Sequence, residues 1–129
     1  MKLNSIDHIS INVGDFNKSL KFYRDILGLK LLNTIRMPEY NITYLGLPDG
    51  GRIELIDYGI RQKRSETDNL QIGLTHIAFN ADNLEAWEKL LKNKGVKIIL
   101  SATDLVEVGV RVLVFEDPDG TILEICKAL

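Results

Sequence analysis

Cysteine, histidine and proline are all scarce in this chain of 129 residues. The single cysteine, Cys126, excludes an intrachain disulfide and fits a reducing cytoplasm. It also excludes the Cys-rich tetrahedral set of a structural zinc site. No long apolar run is present, so neither a signal peptide nor a membrane span is expected. Charge of one sign is lacking too: a net charge of -2 and a pI near 5.7 leave no electrostatic footprint for nucleic acid. What remains is ordinary for a soluble globular protein, 45% apolar and 26% charged residues. The length predicts one compact domain.

The chain repeats itself. Pro48-Asp49-Gly50-Gly51-Arg52-Ile53-Glu54-Leu55 returns as Pro118-Asp119-Gly120-Thr121-Ile122-Leu123-Glu124-Ile125. In both copies Pro fixes one φ, Asp bonds nearby backbone and Gly accepts positive φ, so a tight turn precedes a strand bearing one acid. Upstream, His8-Ile9-Ser10-Ile11-Asn12-Val13 aligns with His76-Ile77-Ala78-Phe79-Asn80-Ala81. Each half therefore opens with a His on an apolar strand and closes with a Glu on another, the mark of an internal duplication.

Residues 6–13 alternate, with Ile9, Ile11 and Val13 on one face and His8, Ser10 and Asn12 on the other. Asp15 caps a helix predicted to run to about Leu27, with Phe16, Leu20, Tyr23 and Leu27 on one stripe and Gly28 as its stop. Strands are predicted near 29–36, 41–47 and 52–58. The polar, unpatterned residues 59–72 read as a linker. A second strand–helix pair follows over 74–80 and 83–93, with Leu84, Trp87 and Leu91 inward. Strands near 96–101, 108–115 and 121–127 complete the half, and residues 101–109 read as a loop able to cover a site. The expected fold is α+β: one domain over 1–129, made of two βαβββ modules at about 1–58 and 73–129 whose curved mixed sheets form a cleft.

Strand parity places His8, Glu54, His76 and Glu124 on the sheet faces opposite those that receive the helices. A lone strand His is more often a hydrogen-bonded structural residue than a ligand, and a lone strand Glu is more often exposed. The recurrence of both types at matching places in both halves favours a metal centre instead. Neutral imidazoles and carboxylates suit divalent Ni, Co, Zn, Mn or Fe. Four such ligands on an octahedral ion leave two positions for water or for two substrate oxygens. Such an ion can stabilise an enediolate as a Lewis acid, and a nearby carboxylate can move the proton.

The paired modules, the His-Ile-x-x-x-Val-x-Asp opening and the Phe-Glu-Asp-Pro-Asp-Gly-x-x-x-Glu ending resemble the vicinal oxygen chelate superfamily over essentially the whole chain. Phe22-Tyr23-Arg24-Asp25-Ile26-Leu27-Gly28-Leu29 with Pro38-Glu39-Tyr40 looks most like bacterial glyoxalase I. The resemblance implies that His8, Glu54, His76 and Glu124 bind the metal. It also implies that Glu124 and Glu54 are the catalytic carboxylates, with Glu124 as the mobile base. The implied function is a glyoxalase-like lyase or isomerase acting through a metal-chelated enediolate. Its substrate would be a small molecule, a hemithioacetal or related α-hydroxycarbonyl compound such as a thiol adduct.

Two positions depart from that pattern. Asn12 stands where an Arg usually helps hold glutathione, and Asp57 lies near a usual Asn, where its charge would repel a substrate carboxylate. Arg61 to Arg64 offer compensating charge, although a solvated linker is the plainer reading. The alternatives are a methylmalonyl-CoA epimerase-like enzyme, disfavoured by Glu54 where Gln is common, and an extradiol dioxygenase, disfavoured by a fourth ligand. A fosfomycin thiol transferase uses only three ligands, and a drug-sequestering protein of the same fold usually lacks the set. Halves of about 60 residues are marginal alone, and open sheet edges favour a homodimer. The cup would then be built from two modules of one chain or of two.

Overall fold

The computed structural model describes residues 1–59 and 72–129. The chain divides into two compact units, Met1–Lys63 and Arg64–Leu129, which are taken in turn. The expected linker over 59–72, including the Arg61 to Arg64 run, lies outside the described residues except for Gly59 and Ile72.

The first unit begins with β1 (His8–Asn12), in which Ile11 is buried while its neighbours Ser10 and Asn12 are exposed. Asp15 caps α1 (Phe16–Leu20) by accepting from the Lys18 N–H. The helix then widens into a π-helical stretch, Lys21–Ile26, closed by a 2.9 Å bond from the Leu27 N–H to the Phe22 carbonyl. Of the predicted stripe only Tyr23 is fully buried. The wider turn changes the angular step per residue, so Ser19, Phe22 and Tyr23 are buried, whereas Phe16, Leu20 and Leu27 are half-buried. Gly28, at φ 78°, ends the helix as expected.

Three strands follow: β2 (Lys30–Arg36), β3 (Asn41–Gly46) and β4 (Arg52–Asp57). They form an open sheet of order β1-β4-β3-β2, with β1 parallel to β4 and the other pairs antiparallel. Leu45, Ile53 and Leu55 are fully buried with Tyr23, each such side chain contributing about 1.5–3 kcal/mol. The Pro48-Asp49-Gly50 turn works as predicted: Gly50 has φ 91° and the Asp49 carboxylate accepts from the Gly51 N–H at 2.9 Å.

The second unit repeats the plan with β5 (Ile77–Asn80), α2 (Leu84–Asn93), β6 (Ile98–Leu105), β7 (Val110–Glu116) and β8 (Ile122–Ala128). Its open sheet has the order β5-β8-β7-β6, again with a single parallel pair, β5 and β8. Asn83 caps α2, Leu84 and Leu91 are buried, and the helix lies against β6, β7 and β8. In the second turn Asp117, one residue before Pro118, also holds the backbone. Its buried carboxylate accepts from the N–H groups of Asp119 and Thr121 at 2.9 and 2.8 Å.

Residues 101–109 are not a loop over a site. β6 continues to Leu105 and only a short turn ending at Gly109 separates it from β7. Two register shifts, between Ile98 and Leu100 and between Leu100 and Thr103, break the period-two pattern and disguise the strand. At this irregularity Glu88 of α2 reaches across and accepts from the Ala102 N–H at 3.0 Å. Bonds from Lys92, from that N–H and from Ser101 lower the Glu88 pKa to about 2. A carboxyl depressed on folding stabilises the fold above its ordinary pKa and loses that contribution as pH falls through the folded value. Glu88→Gln is therefore expected to lower Tm at pH 7, and the gap to the parent should close between about pH 4.5 and pH 2. Thermal melts stepped down through that window check it; a gap that stayed constant would show that Glu88 acts by packing instead. Among the described residues, no helix is long and apolar enough to cross a membrane.

Candidate metal centre

Each unit brings one predicted His to one predicted Glu. In the first unit, β1 and β4 run parallel with Ser10 paired to Glu54 and His8 to Arg52. That register sets His8 one pleat from Glu54 on the same face, and His8 Nε2 lies 3.5 Å from Glu54 Oε2. In the second unit, Ala78 pairs with Glu124 across β5 and β8, and His76 Nε2 lies 3.8 Å from Glu124 Oε2. Among the described residues, no three His, Cys, Asp or Glu side chains gather as one metal-holding group. The unit of organisation is the pair.

The other imidazole nitrogen is engaged in both pairs. His8 Nδ1 donates to Asp7 Oδ1 at 2.7 Å, and the Thr75 hydroxyl lies 2.9 Å from His76 Nδ1. A carboxylate on Nδ1 leaves Nε2 as the lone-pair nitrogen, the tautomer that ligates a metal. Exposure is graded in the same sense: the Glu54 side chain is 8% exposed and that of Glu124 19%, against 37% and 44% for His8 and His76.

Burial alone would push the Glu54 carboxyl up. Hydrogen bonds from Tyr44 and Ser10, with the nearby His8 and Arg52, outweigh it, and the group titrates below the usual carboxylate range. It is therefore anionic at neutral pH despite its burial. Cys126, beside Glu124, is displaced the other way: burial, then the Glu124 charge and hydrogen bond, raise its thiol pKa. In this environment that thiol is protonated at neutral pH.

The donor set fits a first-row divalent ion. Ligand bonds of about 2.0–2.2 Å put two donors on one ion about 3–3.5 Å apart. The His–Glu separations of 3.5 and 3.8 Å lie within a few tenths of an ångström of that span. Both pairs present neutral nitrogen and carboxylate oxygen, which suits these metals.

Four further participants escaped the sequence reading: Asp7, Ser10, Tyr44 and Arg52. Ser10 Oγ donates to Glu54 Oε1 at 2.7 Å, and the Tyr44 hydroxyl also bonds Glu54. The Arg52 guanidinium pairs with Asp7 and sits 4.7 Å from the centroid of the Tyr44 ring. Ser10 and Arg52 shared the face of His8 and Glu54 by parity, which was the available signal. Asp57, suspected of repelling a substrate carboxylate, alternates to the other face of β4, and its carboxylate accepts from the Gly59 N–H at 2.8 Å. Asn12 is exposed on the His8 side of β1.

Residues 5–125 match the Glyoxalase/Bleomycin resistance protein/Dioxygenase superfamily. A lactoylglutathione lyase of Haemophilus influenzae is 36% identical over 124 residues, covering 91% of this chain and 87% of that protein. One of Escherichia coli O157:H7 is 34% identical over 130 residues, covering 93% and 90%. The crystal structure of a glyoxylase/bleomycin resistance protein/dioxygenase domain from Frankia sp. EAN1pec superposes with a TM-score of 0.84 at 25% identity, covering 99% of this chain and all of that one. Both open four-stranded mixed sheets thus follow a known architecture.

Proposed function

Because the chain belongs to the Glyoxalase/Bleomycin resistance protein/Dioxygenase superfamily, we propose that it is a metal-dependent lyase of the glyoxalase I type. Its substrate is a hemithioacetal or a related α-hydroxycarbonyl compound, His8, Glu54, His76 and Glu124 are the metal ligands, and the working form is a homodimer in the cytoplasm. One observation carries this reading. In each unit an imidazole Nε2 faces a carboxylate Oε2 across adjacent strands, with Nδ1 already engaged.

A divalent metal, when bound, supplies Lewis-acid stabilisation of charge developing on two adjacent substrate oxygens. The protein supplies the rest. Glu54, anionic and bonded by the Ser10 hydroxyl, would balance the charge of a bound metal. Glu124 takes the proton from the hydroxyl-bearing carbon and returns it to the neighbouring carbon, while the hydroxyl proton passes to the former carbonyl oxygen, which turns a hemithioacetal into a 2-hydroxy thioester. No atom is gained or lost in that transfer, and one carboxylate serves as base and then acid. Asp57 alternates to the face of β4 opposite Glu54, which sets its charge away from a carboxylate-bearing thiol on the site face.

The test is turnover of the methylglyoxal–glutathione hemithioacetal by metal-stripped protein refilled with nickel, with zinc-loaded and apo samples alongside. Nickel-dependent product is expected. Nickel shown to be bound without product would reject this substrate and direct the search to other thiols and to CoA esters.

A further inference from the structure

The two His–Glu pairs are built alike but supported differently. In the first unit the row β1-β4-β3 sets Ser10, Glu54 and Tyr44 side by side, because Ser10 and Tyr44 are both register partners of Glu54. Ser10 Oγ donates to the carboxylate at 2.7 Å, and the Tyr44 hydroxyl lies close enough to help hold its pKa down. Tyr44 is fixed in turn, with its ring edge-on to His8 at 6.0 Å and 83° and the Arg52 guanidinium over its face. Arg52 pairs with Asp7, and Asp7 accepts from His8. Asp7, His8, Tyr44 and Arg52 thus form a closed ring of contacts, with Glu54 set between His8 and Ser10.

Among the described residues, the second unit lacks this hold. The register partners of Glu124 are Ala78 and Val114, and neither offers a hydroxyl. Ile122 stands two residues before Glu124, as Arg52 does before Glu54, and Thr75 stands before His76 where Asp7 precedes His8. The Glu124 carboxylate has a thiol, Cys126, in place of two hydroxyls. A carboxylate held by two donors on rigid neighbouring strands has one orientation, whereas one beside apolar partners is free to turn.

We infer that Ser10 and Tyr44 are positioning residues that lock Glu54 as the permanent metal-anchoring carboxylate, and that their absence around Glu124 is what lets that carboxylate leave the metal and carry the proton. The inference rests on the metal-centre reading above and adds the residues that make its two halves unequal. Neither Ser10 nor Tyr44 touches the reacting atoms; both act through Glu54.

Cobalt(II) titration of the apo protein tests it, read from the visible spectrum of the bound ion and without reference to turnover. The double variant Ser10→Ala/Tyr44→Phe is expected to bind cobalt about 10–100-fold more weakly, the range for loss of partners behind a ligand. Ser10→Thr, which keeps a hydroxyl at that place, should retain most of the affinity. Metal-free thermal melts of the same proteins identify any variant that fails to fold, and the Ser10→Ala and Tyr44→Phe single variants then carry the comparison. A double variant that is folded and binds cobalt as tightly as the parent overturns the inference alone. A parent chain that binds no cobalt overturns the metal reading and this inference together.

Discussion

Glu124→Gln is expected to lower kcat by about 10²–10⁴-fold, the usual contribution of a positioned general base. Gln keeps the shape and an acceptor oxygen but cannot take a proton, so the loss should fall on kcat and kcat/KM together and leave KM nearly unchanged. Metal content per chain should stay close to that of the parent, because the carbonyl oxygen of Gln remains a possible ligand. Glu54→Gln makes the informative contrast. Glu54 accepts from Ser10 and Tyr44, and an amide in its place presents N–H groups to donors that need acceptors. That change should weaken metal binding as well as activity, whereas Glu124→Gln should spare metal binding. Steady-state kinetics with metal analysis on both variants separates the roles. A Glu124→Gln protein of normal activity would remove Glu124 as the base.

The choice of Glu124 as a site residue came from strand parity and an internal repeat, both legible without coordinates, whereas its role as base came from the family resemblance alone. A His and a Glu recurring at matching places in two copies of one pattern pick out pairs, and period-two alternation puts each pair on one face. The hydroxyl hold on Glu54 was not legible. Ser10 and Glu54 are 44 residues apart and meet only through a parallel register that the sequence does not spell out. Tyr44 stood among alternating residues of β3 with no mark of its partner until the β3–β4 pairing was known. Comparing the two copies position by position would have raised the question, since Ser10 answers to Ala78. The helix stripe failed because a π-helical stretch obeys a different period, and the supposed loop at 101–109 failed because bulges hide a strand from a period-two search. Asp57 misled for a simpler reason: its neighbour Glu54 was assigned to a face but Asp57 was not, though the same parity sends it to the other side.

Mixing inactive His8→Ala and His76→Ala chains is expected to restore activity to about one quarter of the parent level, the fraction of intact sites in a randomly exchanged two-fold dimer. Each single change should first abolish turnover and weaken metal binding by more than the roughly 100-fold ascribed to outer partners of a ligand. The regain follows if each centre takes His8 and Glu54 from one subunit and His76 and Glu124 from the other. In a mixed dimer one centre then inherits both substitutions and the other inherits neither. Each unit by itself offers only one His–Glu pair and an open sheet. The edge strand β2 exposes Leu31, Leu32 and Ile35, and β6 exposes Ile99 and Leu100, apolar surface of the kind a second chain covers. The experiment needs mild denaturation and refolding, or co-expression with two tags, so that the chains exchange, and then activity per bound metal. Parent-like mixing controls with no regain would show that each chain builds its centre alone, and the exposed strands would then need another explanation.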